Sequence, residues 1–305
     1  VGGTHVCLRK VEPRSIFTLI RDEGITLLCA APTVLIGIAN APEDVRHILL
    51  SSDAAKHRKV RVLAAGAPPA AATIERIEGE LGWEITQVYG LTETAPFITI
   101  CEPRPEHAAL SPQERATIKA RQGVELITSG ELLVVDEQGN EVPHDGATLG
   151  EIVACGNVVM KGYYNDPDAT ARAFEGGWFH TGDAAVVHPD GYVEIRDRIK
   201  DVIISGGENI SSVEVEAMFL RHPAVQEVAV VGMPDKQWGE APYAFVVLKA
   251  GQSTTEEELR TFLRERMAHF KVPKSFTFVV ELPKTATGKI QKYVLRSGKS
   301  AIAAQ

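Results

Sequence analysis

The sequence predicts an α/β fold made of two consecutive domains, and three observations support this prediction. Helical and strand patterns alternate over residues 15–88, short strands separated by turns follow at about 123–196, and helices and strands mix again after residue 200. We therefore expect residues 1–199 to form a layered α/β domain that ends in a small antiparallel barrel-like subdomain. Residues 200–305 would form a small α+β domain.

The first region has the pattern of a layered unit with a partly parallel sheet, because strands alternate with helices. Its predicted helices and strands are 15–22, 26–30, 42–50, 60–64, 70–81 and 84–88. The loops at 65–69 and 89–94 each follow a predicted strand. Ligands bind beyond the carboxyl ends of the strands in open α/β sheets, so both loops lie where a ligand is expected.

The middle region is divided by turn sequences at 138–140, 145–146 and 189–191, which are rich in Gly, Asn and Asp. They separate strands that we predict at 131–136, 150–155 and 192–196.

The last region begins with a predicted helix whose N-cap we assign to Ser212, because Glu214 and Glu216 follow in its first turns. The predicted strands are 202–204, 228–231, 244–248 and 275–280, and the predicted helices are 212–221 and 255–267.

Composition excludes several classes of protein. A net charge of −8 argues against nucleic acid as the main partner, since phosphate backbones require clustered Lys and Arg. The four cysteines are far apart in sequence, which indicates neither a disulfide framework nor a zinc site. No apolar run approaches the length of a membrane span, and no signal peptide occurs within these 305 residues; a targeting segment before Val1 stays an open alternative. We expect a soluble cytoplasmic protein with a substantial hydrophobic core.

The most informative segment is Gln-Val-Tyr-Gly-Leu-Thr-Glu-Thr at 87–94, which combines several groups suited to binding a nucleotide. They are an amide at Gln87, a ring at Tyr89, a bare backbone at Gly90, and a hydroxyl beside a carboxylate at Thr92 and Glu93.

Five further motifs surround this segment in a characteristic order. They are Ala-Gly-Ala-Pro-Pro at 65–69, Gly-Tyr-Tyr-Asn at 162–165, Trp-Phe-His-Thr-Gly-Asp at 178–183, Arg-Asp-Arg-Ile-Lys-Asp at 196–201 and Pro-Lys-Thr-Ala-Thr-Gly-Lys at 283–289. In this order the motifs resemble the adenylate-forming, or AMP-binding, superfamily over essentially the whole chain. The Gly-Gly-Glu-Asn-Ile sequence at 206–210 resembles its fatty-acyl and aryl-CoA ligase branch. The resemblance implies an AMP-forming acid:CoA ligase that uses ATP, Mg²⁺ and coenzyme A.

The resemblance also implies which residues bind adenine. Gly66, Ala67 and Pro68 would line one face of the base, Tyr89 would stack on the other, and Gln87 would bind the exocyclic amine. Taken singly, the same residues are more typical of a Gly/Pro turn and a core tyrosine, and it is the order of the motifs that favours the adenine contacts.

For the phosphates and ribose, the resemblance implies that Thr92 contacts the α-phosphate and Glu93 holds Mg²⁺. Asp183 and Arg198 would bind the ribose. The alternatives are an exposed glutamate for Glu93, and an ion pair that braces the barrel-like subdomain for Asp183 and Arg198.

Two lysines have implied roles in catalysis and in domain motion. Lys289 would stabilise the approach of a carboxylate to the α-phosphate, where two anions come together. Lys200 would be the hinge about which a mobile C-terminal domain rotates. Each of them is otherwise an ordinary exposed lysine.

A further group is implied to contact coenzyme A. Gly207 would line the pantetheine tunnel, Trp238 and Phe270 would hold the CoA adenine, and Lys274 would reach a CoA phosphate. Val272 stands where some relatives have Arg, and core packing is the alternative for both aromatic residues.

One part of the family pattern is absent, namely the Ser/Thr/Gly-rich loop ending in Pro-Lys-Gly that wraps the ATP β- and γ-phosphates. We therefore expect the chain to be the C-terminal part of a longer synthetase, or a natural truncation of one, with impaired activity. The apolar segments 33–38 and 95–100 favour a fatty acid as substrate. The alternatives are a non-catalytic nucleotide- or CoA-binding fragment and an adventitious hydrolase.

Overall fold

The structure, a computed structural model, describes residues 2–50, 58–285 and 288–297. Three sheets with flanking helices follow one another along the chain, which confirms the predicted α/β class.

The first sheet has five strands in the order β1 to β5. β1, β2 and β3 are parallel and β4 and β5 continue the sheet antiparallel, as expected where helices form the crossovers between the first three strands. Its strands are β1 Leu27–Ala30, β2 Arg61–Ala64, β3 Glu84–Tyr89, β4 Thr99–Ile100 and β5 Val124–Glu125. Its helices are α1 Pro13–Asp22, α2 Pro32–Ala39, α3 Glu43–Leu50, α4 Ala71–Leu81 and α5 Pro112–Lys119.

The helix α2 is not predicted by the sequence pattern. Pro32 occupies the first turn, where proline is well tolerated, but the helix is apolar all round and so lacks amphipathic periodicity. Leu35 and Ile38 are buried in the same core as Phe17 of α1 and Val62 of β2. Segment 33–38 therefore supplies residues to the core of the first sheet and its helices.

The second sheet is an antiparallel meander of β6 Glu131–Val135, β7 Gly150–Cys155, β8 Phe179–Val187 and β9 Val193–Arg198, with α6 Pro167–Ala173 before β8. The antiparallel pairing agrees with the prediction, but the barrel-like description is wrong because the sheet is open. The outer edge of β9 does not close onto β6. It bonds to Gly123 instead, where Val193 N donates to the Gly123 carbonyl at 2.8 Å.

The third sheet comprises β10 Ile203–Ser205, β11 Glu208–Ile210, β12 Val225–Asp235, β13 Gly239–Leu248 and β14 Ser275–Phe278. Its helices are α7 Ser212–Phe219, α8 Glu256–Arg264 and α9 Lys292–Arg296. The predicted N-cap Ser212 is wrong by one residue. Ser211 is the N-cap, because its Oγ accepts the Glu214 amide at 3.0 Å.

No helix among the described residues combines the length and the apolar character that crossing a membrane requires.

Gly123 is where the first and second sheets meet, and a side chain does not fit there. A Cβ on Gly123 would lie 2.0 Å from the Ile100 carbonyl oxygen, and φ is +79°.

Gly139 has φ +81° with open space around its Cβ position. We expect Gly139→Ala to lose about 1 kcal/mol of unfolding free energy from backbone strain. Gly123→Ala should lose a further 1–3 kcal/mol or so from overpacking. Urea unfolding measures both, and equal losses would contradict the close approach.

Candidate active site

A buried hydrogen bond between Tyr89 and Asp183 lies at the centre of the site. Tyr89 Oη, at the end of β3, donates to Asp183 Oδ2 of β8 at 2.7 Å. The two residues are 9% and 5% exposed. Asp183 is paired in register with Arg198 of β9, whose Nε lies 3.5 Å from Oδ1. These contacts join the first sheet to the second.

The electrostatics of this pair follow from its burial. Burial raises the pKa of Asp183, while the Tyr89 hydrogen bond and the charges of Arg198 and Lys289 oppose that rise. Burial, followed by the Asp183 charge, raises the pKa of Tyr89 well above its usual range. Tyr89 therefore remains a hydrogen-bond donor at physiological pH.

The backbone before Asp183 is held by two residues that sequence reasoning missed. Glu151 Oε1 accepts the Gly182 amide at 2.9 Å, and its Oε2 lies 2.8 Å from His180 Nδ1. Thr181 Oγ1 accepts the Asp183 amide at 3.2 Å. The sequence could have indicated a role for Glu151, because it is a charged residue near the start of an otherwise apolar strand.

The loop at 66–68 and Gln87 lie side by side at the carboxyl ends of β2 and β3, where Ala64 pairs with Gln87. Gly66 and Ala67 are exposed and Pro68 is half-buried. Gln87 is 2% exposed, and its Oε1 is buried without a hydrogen-bond partner. Because unpaired buried acceptors are rare, this atom fits a ligand that brings a donor, such as the amine of adenine.

The Thr92–Thr94 turn follows β3 and carries the predicted phosphate and magnesium contacts. Thr92 is exposed, and Glu93 Oε1 accepts Tyr163 Oη at 3.1 Å. Gly90 allows this turn to pack, because a Cβ there would lie 1.8 Å from the Pro96 carbonyl oxygen. Sequence reasoning did not assign Tyr163 a contact.

A magnesium ion would have to rely on Glu93 and ligand oxygens. No group of three or more His, Cys, Asp or Glu in the part of the chain that the structure describes is placed to hold a metal ion. Mg²⁺ usually takes one or two carboxylates together with phosphates and water, so a single carboxylate is compatible with it.

Lys289 reaches the same site from the end of the chain. It lies on a hairpin closed by the Lys284–Ile290 bridge, and its amide donates to Thr285 Oγ1 at 3.1 Å. A Cβ on Gly288 would lie 2.7 Å from Thr33 Oγ1, so the hairpin lies against α2. Partial desolvation and then the Arg198 charge lower the pKa of Lys289, while Asp183 opposes this. Residues 286–287 of the motif lie outside the described residues.

The residues predicted to contact coenzyme A belong to the third sheet and its loops. Trp238 and Phe270 are 48% and 47% exposed, so neither is a core residue. The Lys274 ammonium pairs with Asp235, and Gly207 has φ +89° with open space at its Cβ position. Among the described residues, no hydrogen bond or ion pair joins Gly207 or these three side chains to Tyr89 or Asp183. The Val272 that stands in place of Arg is packed in the core.

Lys200 is exposed in the Ile199–Asp201 turn between the second and third sheets, as its predicted role requires. Its charge contributes to the lowered pKa of Lys289. The hinge role itself stays a prediction.

Comparison with known proteins identifies the family. Residues 1–164 match the AMP-binding enzyme family, and residues 214–289 match the AMP-binding enzyme C-terminal domain. The chain belongs to the AMP-binding enzyme family.

This AMP-binding enzyme chain is 49% identical over 299 residues to the probable peroxisomal acyl-activating enzyme 5 of Arabidopsis thaliana, covering 97% of the chain and 52% of that protein. It is 47% identical over 300 residues to 2-methylpropanoate–CoA ligase CCL4 of Humulus lupulus, with 97% and 52% covered. The chain thus spans about half the length of the curated relatives it matches. A crystal structure of the anthranilate CoA ligase AuaEII in complex with anthranoyl-AMP superposes with a TM-score of 0.84 at 30% identity, covering 98% of this chain and 55% of that one.

Removing the Tyr89 hydroxyl should destabilise the fold in a pH-dependent way. Asp183 already has a pKa above its unfolded value of 3.8. A carboxyl whose pKa is higher in the folded state than in the unfolded state stabilises the fold at pH values below its unfolded pKa. This contribution to stability is lost as the pH rises through the folded pKa. Tyr89→Phe raises the folded pKa further. We expect it to cost about 1.5–3 kcal/mol near pH 7, as for hydrogen bonds to charged groups, and less near pH 4.

Tyr192→Phe is the matched control, because Tyr192 Oη donates to the neutral Glu102 carbonyl. Urea unfolding should give this variant a cost of about 1 kcal/mol at both pH values. A Tyr89→Phe cost that did not change with pH would contradict the assigned charge of Asp183.

Proposed function

We propose that the chain serves an ATP-dependent carboxylic acid:CoA ligase, which forms an acyl-adenylate and then an acyl-CoA. The observation that carries this proposal is the convergence of Lys289 on the Tyr89–Asp183–Arg198 group, beside a buried Gln87 acceptor without a partner. The match to the AMP-binding enzyme family supports it.

In this proposal the chain binds AMP through the residues at the carboxyl ends of β2 and β3. Gln87 Oε1 accepts the adenine amine, and the loop at 66–68 and the Tyr89 ring lie against the two faces of the base. The Asp183 carboxylate accepts the ribose hydroxyls, since two oxygens offer more lone pairs than Tyr89 and Arg198 use.

In the first half-reaction, a carboxylate oxygen attacks the α-phosphorus, the P–O bond to the β-phosphate breaks, and pyrophosphate leaves. The Lys289 ammonium stabilises the negative charge that develops between the two anions. The Thr92 hydroxyl donates a hydrogen bond to a phosphate oxygen. Glu93 would hold Mg²⁺, which when bound neutralises phosphate charge.

In the second half-reaction, the thiol sulfur of coenzyme A attacks the acyl carbonyl carbon. AMP leaves with the electron pair of its bond to that carbon, and the thiol proton passes to solvent. The exposed rings of Trp238 and Phe270 support a contact with a flat base. Lys274 would have to exchange Asp235 for a CoA phosphate. Gly207 would leave room for the pantetheine arm, and Lys200 would be the hinge that brings this surface to the acyl-adenylate.

We further propose a fatty acid as the substrate class and the cytoplasm as the location. The half-buried Val34 and Ile36 belong to α2, the helix against which the Lys289 hairpin lies, and they support an aliphatic acid. One relative is named for such an acid, 2-methylpropanoate. The name of another relative gives peroxisomal location for that protein.

A second candidate is a nucleotide- or CoA-binding fragment without catalysis. The unpaired Gln87 acceptor and the exposed Trp238 and Phe270 rings favour it, because these groups can bind a nucleotide or coenzyme A and catalyse no step themselves. Acid-dependent exchange of pyrophosphate into ATP separates the two candidates.

Gln87 should give the site a preference for adenine over hypoxanthine. IMP has a carbonyl oxygen where AMP has its amine. That oxygen would face the buried Gln87 Oε1, and because both atoms are acceptors no hydrogen bond could form between them. We expect calorimetric titration to give AMP an affinity at least about tenfold higher than IMP, and Gln87→Leu to remove this difference. Gln138→Leu, in an exposed turn, should keep the preference. Equal affinities in the unmodified protein would contradict the assignment.

Lys289→Ala should slow acyl-adenylate formation about a hundredfold, the scale of losing one preorganised donor. Thioester formation from a supplied acyl-adenylate should persist. Pyrophosphate exchange and acyl-CoA formation in the complete gene product measure the two steps. Lys59→Ala, which removes an exposed lysine elsewhere, is the control. Equal loss of both steps in a folded Lys289→Ala variant would refute the role.

A further inference from the structure

The N-terminus of α7 is bound to the end of β9, although the two elements belong to different sheets. The Ser212 amide donates to Asp197 Oδ2 at 2.6 Å, and the Arg198 amide donates to Asp197 Oδ1 at 2.8 Å. Asp197 is 3% exposed. The Ser211 hydroxyl donates to the Arg196 carbonyl oxygen beside it. The Asp197 carboxylate is thus buried with both oxygens occupied.

These bonds span the turn that contains Lys200, so they connect the parts of the chain before and after the predicted hinge. A carboxylate at a helix N-terminus also interacts favourably with the helix dipole. If α7 moves with the third sheet, rotation about Lys200 breaks the Ser212–Asp197 bond. Asp197 would then lose one of its two amide donors.

Polar contacts join α7 and the Lys200 turn to α9, the helix that follows the Lys289 hairpin in the chain. The Lys292 ammonium donates to Ser212 Oγ and lies 2.8 Å from Glu216 Oε1. Arg296 pairs with Asp201 at 2.7 Å. Both cations belong to α9, which begins three residues after Lys289. The position of α7 on β9 therefore helps to set where Lys289 lies.

We propose that Asp197 is a positioning residue whose bond from the Ser212 amide holds the third sheet in the orientation that directs Lys289 toward Asp183. This rests on the proposed ligase function, in which the third sheet rotates about Lys200 between the half-reactions. The bond favours adenylate formation and opposes the orientation needed for thioester formation.

The first position of a helix offers a substitution that removes only this donor. Ser212→Pro deletes the amide proton, and proline suits this position because the amide is not needed within the helix. Ser211 has φ −73° and ψ 119°, an extended conformation that a following proline permits. Ser212→Ala is the matched control, because it keeps the amide and loses only the hydroxyl that Lys292 contacts.

The orientation is measured by the distance between spin labels on Glu75→Cys and Arg221→Cys, which line the same cleft from α4 and from the turn after α7. The complete gene product is used, with the cysteines that are exposed among the described residues, Cys7, Cys29 and Cys155, and any exposed cysteine elsewhere in that product replaced by serine. We expect one short distance in the parent and in Ser212→Ala. Ser212→Pro should populate longer distances about tenfold more. A distribution unchanged in a folded Ser212→Pro variant overturns the proposal.

The half-reactions provide a second readout. Relative to Ser212→Ala, Ser212→Pro should slow pyrophosphate exchange several-fold and leave thioester formation from a supplied acyl-adenylate undiminished. Equal loss of both steps indicates a merely structural role and overturns the proposal. If the parent exchanges no pyrophosphate, the ligase function fails, while the spin-label distances still decide whether the bond holds the orientation.

Discussion

The hydrogen bond between Tyr89 and Asp183 connects two sheets at the place where the predicted ligand contacts meet. A carboxylate is costly to bury unless it is hydrogen-bonded and paired, so Asp183 requires both Tyr89 and Arg198. Tyr89 is the last residue of β3, so the hydrogen bond also fixes the start of the turn that carries Thr92 and Glu93. Asp183 lies on β8, and the pairing of β8 with β9 places Arg198 opposite it. This buried pair connects the first and second sheets at the site, in addition to the backbone bonds at Gly123.

The same charges serve stability and the proposed chemistry. The charges of Arg198 and Lys289 oppose the rise in the pKa of Asp183, and the charge of Asp183 opposes the lowering of the pKa of Lys289, so these groups are within electrostatic range before any ligand binds. The proposed adenine contact depends instead on Gln87, whose side-chain oxygen is buried without a hydrogen-bond partner. A nucleotide with a donor at that point completes the hydrogen bonding that the protein alone leaves unfinished. The proposed binding of adenine thus depends on an unpaired hydrogen-bond acceptor, whereas the arrangement of the charged residues depends on their interactions with one another.

Strong local patterns predicted the fold where periodicity was clear, and failed where it was not. α4 begins and ends within one residue of its prediction, because a strand precedes it and Gly82 ends it with φ +65°. α2 escaped prediction because a helix that is apolar on every side has no amphipathic signal. The barrel-like description failed because turn sequences predict hairpins but do not reveal where a sheet edge bonds, here to Gly123.

The sequence by itself determined the family, the class of fold and which residue types are available for nucleotide chemistry, because those depend on local motifs and their order. Only the tertiary structure decided which residues support them. Glu151 holds the backbone before Asp183, Tyr163 bonds to Glu93, and Asp197 binds the start of α7. Their partners lie between 15 and 70 residues away in the chain. No period or turn signal encodes such separations, since they arise only when the packed sheets bring distant strand ends together.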